Sequence, residues 1–212
     1  MEVNEIENEI EAFELEHEAH VGAVRRRFAA LAATSGLDET RTGEAALIAT
    51  ELASNVIKHA GHGGALVGYI AAGTVRGVSI AVWDRGPGMN VGACLRDGMS
   101  TAGTAGAGLG AVARLATRWD AYSRHGAGTV ITASAFPRGP IAPTAFDVAG
   151  VAVPYPGLTV CGDAWRVHEA GDRATLIVCD GLGHGDGAAA AARAVLAAFT
   201  QRRDDALAAI LE

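Results

Sequence analysis

The stretch from Asp84 to Ala107 constrains this chain more than any other. It is rich in Gly, Thr, Ser and Pro and has little periodicity. It lies between an apolar strand-like run, Gly77–Trp83, and a helix-like run, Leu109–Thr117. A loop of that length is unusual in a compact domain, where long loops are functional or disordered. The patterns on either side decide what the loop is attached to.

Phe13 and Leu15 alternate with Glu14 and Glu16, which predicts a short strand after an acidic lead-in over residues 1–11. Ala19–Ser35 reads as a helix stopped near Gly36. A second helix starts after Asp38, a favoured N-cap residue, and ends near His59 and Gly61. Ala65–Ala72 and Gly77–Trp83 are apolar strands, and Trp119–Ser123 and Thr129–Phe136 form another pair across a glycine-rich turn. Pro137, Gly139, Pro140 and Pro143 mark a linker. Beyond it come strands near Leu158–Trp165 and Ala174–Cys179, a loop Asp180–Gly187, and an Ala-rich helix to about Thr200. The expected organisation is a domain over residues 1–136, a linker over 137–149 and a second unit over 150–212.

Half of the residues are hydrophobic, enough for a packed core. The formal net charge of -7 argues against nucleic-acid binding, which needs a basic footprint. It does not argue against a nucleotide, which glycine amides and one Mg²⁺ can hold. Cys94, Cys161 and Cys179 are scattered, which suits a reducing cytoplasm better than a disulfide framework. The acidic N-terminus is unlike a secretion signal. The longest apolar stretch, Ala188–Phe199, is short and broken by Arg193, so no membrane span is expected.

Three motifs carry chemistry. In Glu51-Leu-Ala-Ser-Asn55 the two polar residues are four apart and share a helix face, beside an apolar stripe of Ile48, Leu52 and Val56. An amide oxygen suits Mg²⁺, and a carboxylate one turn away can deprotonate a nucleophile. In Asp84-Arg-Gly-Pro-Gly88, a carboxylate at a strand end can accept the amino hydrogens of adenine, while Gly86 and Gly88 admit a flat base. In Gly103-Thr-Ala-Gly106-Ala-Gly108-Leu-Gly110, amides at a helix start make an anion site, to which Ser100, Thr101 and Thr104 could add hydroxyl donors. Read singly, these are also a solvated helix face, a turn and a linker. The third motif lacks the preceding strand of a dinucleotide fold and the Gly-Lys-Ser/Thr of a P-loop.

Taken in order, the motifs resemble those of the GHKL ATPase superfamily, most closely its anti-sigma-factor serine kinase branch. Glu51 and Asn55 match the N-box, Asp84–Gly88 the first glycine box, Gly106–Gly110 the second, and Gly126-Ala-Gly-Thr129 a late strand whose threonine helps hold the adenine-bound aspartate. The resemblance implies an α/β two-layer fold, a mixed sheet covered on one face by helices. It implies an ATP site of Asn55, Asp84, Gly86, Gly88, Thr101, Gly106, Gly108, Leu109, Gly110 and Thr129, with Asn55 holding Mg²⁺ and Glu51 as general base. It further implies phosphate transfer to a small anti-sigma antagonist protein. A histidine kinase would need a phospho-accepting helical hairpin upstream, for which the roughly 40 residues before the second helix are too few. An ATP-gated module that sequesters a sigma factor or regulator without phosphotransfer is the other reading, and a homodimer is compatible with both.

In the second unit, Cys161-Gly-Asp163 and Cys179-Asp180-Gly-Leu-Gly-His184 place two carboxylates at strand ends, suited to Mg²⁺ or Mn²⁺. With the Ala-rich helix that follows, they resemble the opening of a stage II sporulation protein E-like phosphatase. The resemblance implies Asp163, Asp180 and the Gly181 carbonyl as metal ligands. Further strands and another aspartate of that family would be expected beyond Glu212, so phosphatase activity is not expected of these residues alone.

Overall fold

The computed structural model describes residues 10–72, 75–95, 108–141, 150, 152–155, 157–158, 160–170, 173–203 and 205–210. Two units emerge, Met1–Ile141 and Ala142–Glu212.

In the first unit, strand β1 (Glu11–Leu15) is followed by helices α1 (Glu18–Thr34) and α2 (Glu39–Ala60). Asp38 caps α2: its carboxylate accepts the Arg41 amide at 2.7 Å, satisfying one of the amides that a helix start leaves open. Gly61 ends the helix at φ +79°, a left-handed conformation that glycine tolerates best, and its amide bonds Ile57 O at 3.1 Å. Strands β2 (Gly63–Ala72) and β3 (Val75–Asp84) pair next. The expected aperiodic stretch then holds a one-turn helix, α3 (Val91–Leu95), begun by Asn90, whose side chain accepts the Ala93 amide at 3.0 Å. Helix α4 (Gly108–Leu115) and the hairpin β4 (Arg118–Arg124) and β5 (Gly128–Ala135) complete the unit.

The sheet order is β1-β2-β3-β5-β4. Every described pairing is antiparallel, which differs from the mixed sheet expected. The reason is topological. β3 and β4 run parallel, joined through α3 and α4, but β5 folds back between them and pairs with both.

Alternation assigns the two faces. Val67, Val78, Ile80, Val82, Ile131 and Ala133 are buried on one side against Val24, Phe28 and Leu31 of α1 and Ile48, Leu52 and Val56 of α2. On the other side Trp83, Tyr122 and Val130 are exposed. The fold is thus a two-layer α/β sandwich. Arg41, only 7% exposed, locks its base. Its guanidinium donates to Phe136 O at 3.0 Å, to Glu44 at 2.8 Å, and to Leu115 O and Thr117 Oγ1. One side chain therefore ties the start of α2 to the ends of α4 and β5.

The second unit contains the hairpin β6 (Ala164–Ala170) and β7 (Arg173–Cys179), then α5 (Asp186–Arg202) and α6 (Leu207–Ile210). The strand expected near Leu158–Trp165 lies further along the chain. Pairing starts only at Ala164↔Cys179; ahead of it Gly162 packs against Gly181 and Ala188 in a space that admits no side chain. Arg166 donates to Leu196 O at 3.1 Å and to Thr200, holding α5 on the hairpin. Among the described residues no helix is long and apolar enough to cross a membrane.

Candidate nucleotide site

The buried stripe of Ile48, Leu52 and Val56 fixes the rotation of α2 about its axis. That rotation leaves Glu51 and Asn55 half-buried, one turn apart. Among the described residues neither side chain has a hydrogen-bond or ion-pair partner. As metal ligands the pair offers only oxygens, since the Asn55 amide nitrogen is a hydrogen-bond donor. That donor set suits Mg²⁺, which takes one or two protein oxygens and completes its shell with phosphates and water.

Asp84 ends β3, in register with Gly63 on one side and Thr129 on the other. One carboxylate oxygen accepts the Gly86 amide at 2.7 Å, which turns the chain and leaves the other oxygen for a ligand. The turn packs on the end of α2: a Cβ at Gly86 would lie 2.7 Å from the Ala60 Cβ. The loop beyond Asp84 is clasped by the β4–β5 turn. Gly126 N–H donates to Pro87 O at 2.8 Å, and Met89 N–H donates to Ser123 Oγ at 2.8 Å. At Gly88 a Cβ would meet Arg124 O at 2.4 Å, and at Gly128, φ +95°, it would meet Asp84 O at 2.0 Å. The clasp exists because these glycines lack side chains.

Thr129 is buried, and its hydroxyl lies 2.9 Å from Ser123 Oγ. Val82 and Ile131 are buried on the helical side, so Asp84 and Thr129, two residues along each strand, face the same way. Ser123, paired with Thr129, completes a row across three strands.

Gly108, Leu109 and Gly110 open α4. Leu109 and Val112 are buried in the core shared with α2. The first amides of the helix have no intrahelical acceptor, and the dipole adds a partial positive charge there. Thr101 and Gly106, with Ser100 and Thr104, lie outside the described residues. The described parts of the expected site thus bring the Asp84 turn, Thr129 and the end of α2 together, with α4 packed on α2. A cavity of about 450 Å³ lined by Arg41, Glu44, Thr117, Phe136 and Arg138 opens at the other end of α2. It is a poor rival, because Glu44 is bridged to both Arg41 and Arg138.

In the second unit Asp163 and Asp180 are exposed and flank the terminal pair Ala164↔Cys179. Gly181 is buried; a Cβ there would lie 2.5 Å from Gly162 O, so the two turns touch. Among the described residues no group of three His, Cys, Asp or Glu could hold a metal ion. The His184 ring stacks on Tyr155 at 5.8 Å. Burial raises the pKa of the Cys179 thiol.

Two residues escape the motifs. Ser123 could have been found from the alternation of Trp119, Ala121 and Ser123, which places it on the covered face. Arg41 has only the i,i+3 pairing with Glu44 as a signal.

Residues 13–135 match the family described as the histidine kinase-like ATPase domain. The chain is also 38% identical over 85 residues to the Serine/threonine-protein kinase RsbT of Bacillus subtilis (strain 168). That stretch covers 40% of this chain and 64% of that protein, so the chain spans less than two thirds of its relative's length. The family match takes in more than half of the residues, including both ends of the Asp84–Thr129 clasp, and the chain belongs to the histidine kinase-like ATPase domain family.

Proposed function

We propose that residues 13–136 act as an ATP-dependent serine/threonine protein kinase in a partner-switching pathway, with a small anti-sigma antagonist protein as substrate. The observation that carries this reading is the Glu51–Asn55 pair on α2, whose end packs on the Asp84 turn. The name of the Bacillus subtilis relative supports the same activity.

Asp84 accepts the adenine amino group through its unoccupied oxygen, and Thr129 stands beside it. The α4 amides of Gly108, Leu109 and Gly110, with Thr101 and Gly106 ahead of them, receive phosphate oxygens. Asn55 would hold Mg²⁺, which neutralises phosphate charge when bound. Glu51 takes the proton of the substrate hydroxyl. The hydroxyl oxygen bonds the γ-phosphorus, the bond to the β-phosphate oxygen breaks, and ADP leaves.

Glu51→Ala should keep ATP affinity within about two-fold and lower phosphate transfer by roughly 10²–10⁴, the range for loss of a positioned base. The measurement is transfer of radiolabelled γ-phosphate to an antagonist-type protein. Transfer at the wild-type rate by Glu51→Ala would rule Glu51 out as the base. A tight ATP-dependent complex without label on the partner would favour the second reading, a module that sequesters a sigma factor or regulator. The glycine content of the 89–105 stretch supports that reading, since glycine backbone can adapt to a partner.

We also infer that residues 150–212 carry a divalent-cation site of Asp163, Asp180 and the Gly181 carbonyl, of the kind used by metal-dependent phosphatases. The contact of Gly162 with Gly181 supports it. The scattered cysteines support a cytoplasmic setting.

A further inference from the structure

We propose that the cavity at the start of α2 is a second ligand site, which binds an oxyanion carried on an apolar body. The proposal does not depend on the nucleotide reading above.

The cavity measures about 450 Å³, inside the range of roughly 300–1,000 Å³ typical of small-molecule sites. Arg41, Arg114 and Arg138 line it against one acid, Glu44, while Phe136 and Ile141 supply its apolar part. Glu44 is bridged to both Arg41 and Arg138, so its own charge is answered. Three guanidinium groups against one carboxylate leave an excess of positive charge, in a chain whose formal net charge is -7. A bound anion is the natural partner of that excess.

Arg41 is the deepest of the three, only 7% exposed. A guanidinium carries five N–H bonds. In Arg41 the Nε hydrogen goes to Phe136 O, both Nη1 hydrogens go to Glu44 and Leu115 O, and one Nη2 hydrogen goes to Thr117 Oγ1. The other Nη2 hydrogen has no acceptor among the described residues. A buried donor left open is costly, and an oxygen placed in the cavity would satisfy it. Arg138 meets Glu44 through Nη2 alone, at 2.6 Å, and its side chain is 64% accessible, so most of its fork is open to a ligand. Arg114 is exposed and has no partner among the described residues. Its guanidinium lies back along α4, with Nη1 3.3 Å from where a Gly110 Cβ would stand, and is free to turn toward the mouth. The clasp made by Arg41 accounts for Glu44, but not for Arg114 or for the cavity itself.

Planar guanidinium forks match the paired oxygens of carboxylate and phosphate, which defines the ligand chemistry. The site is separate from the Asp84 turn. Arg41 stands near the start of α2 and Ala60, on which that turn packs, at its end, about 28 Å away at a rise of 1.5 Å per residue.

The test is calorimetric titration of the full chain with phenyl phosphate, benzoate and inorganic phosphate. The native protein should bind phenyl phosphate or benzoate; whichever binds tighter assigns the oxyanion as a phosphate ester or a carboxylic acid. Inorganic phosphate, which has no apolar body, should bind more weakly. Arg114→Met combined with Arg138→Met should weaken the tighter ligand at least about ten-fold, the size of one hydrogen bond to a charged group. Arg25→Met combined with Arg26→Met removes the same charge from the exposed face of α1 and should leave binding unchanged. Saturating ATP should also leave it unchanged. The proposal falls if neither organic anion binds, if inorganic phosphate binds as tightly, or if the two double variants lose equally. It also falls if ATP displaces the anion and the Arg114 and Arg138 changes do not matter, in which case the nucleotide reading stands. Arginine-dependent anion binding by a chain that binds no ATP would uphold the proposal and overturn the nucleotide reading.

Discussion

Gly128→Ala should disable this domain through contact and conformation together, and Gly126→Ala separates the two. Gly128 adopts φ +95°, and a Cβ there would lie 2.0 Å from Asp84 O and 2.8 Å from Asp84 C. An L-residue in left-handed backbone costs about 1–2 kcal/mol. The contact cannot exist at 2.0 Å, so the end of β3 must move by about 1 Å, with an overpacking cost of about 1–3 kcal/mol. The expected loss is about 3 kcal/mol in all. Gly126, in the same turn, has φ +72° and nothing within 4 Å of its built Cβ. Gly126→Ala should therefore lose only the conformational part, about 1–2 kcal/mol. Urea unfolding followed by tryptophan emission measures the difference. Trp83 and Trp119 belong to the ATPase unit and Trp165 to the other, so a Trp165→Phe background confines the signal. With a slope of about 1–3 kcal/mol per molar urea, the two midpoints should differ by about 1 M. The displaced carboxylate should also weaken ATP binding by about ten-fold or more, since a hydrogen bond to a charged group contributes about 1.5–3 kcal/mol. Equal midpoints for the two variants would refute the claim that the Asp84 and Gly128 backbones are held in contact.

Arg41→Met should destabilise the ATPase unit by about 3 kcal/mol in the same urea assay, because Phe136 O, Leu115 O and Thr117 lose a buried donor. Arg138→Met removes the exposed partner of Glu44, with a side chain 64% accessible, and should shift stability by less than about 1 kcal/mol; similar losses for both would contradict the pinning role of Arg41. For the second unit, calorimetric titration with Mn²⁺ should show a binding event that Asp180→Asn weakens at least about ten-fold, the usual consequence of removing a charged ligand; unchanged binding would remove Asp180 from the site.

Much of the first unit is legible in its sequence because local signals agree there. Asp38 and Gly61 bound α2, and the stripe Ile48, Leu52 and Val56 is buried as its spacing predicts. The second unit is less legible. Leu158, Val160 and Cys161 look like a strand, yet pairing begins at Ala164; the Gly162–Gly181–Ala188 contact just ahead of it is tertiary packing, which local propensity does not encode. The antiparallel sheet was hidden for a related reason: strand order depends on where β5 inserts, and no periodicity encodes that.

The site divides along the same line. The residues proposed to face the nucleotide belong to short-range motifs, with Glu51 and Asn55 one turn apart and Asp84 two residues from Gly86. The residues that hold them in place are long-range. Ser123 reaches Met89 across 34 positions, and Arg41 reaches Phe136 across 95. Such pairs emerge only once register is known. Here Asp84↔Thr129 and Ser123↔Thr129 are consecutive steps of one ladder row. A one-residue slip of β4 would turn Ser123 to the open face of the sheet and replace it with Tyr122 or Arg124. Neither brings a short hydroxyl side chain beside Thr129. The register that packs Ala121 and Trp119 against the helices therefore also sets Ser123 Oγ 2.9 Å from Thr129 Oγ1, so core packing and that polar contact depend on one alignment.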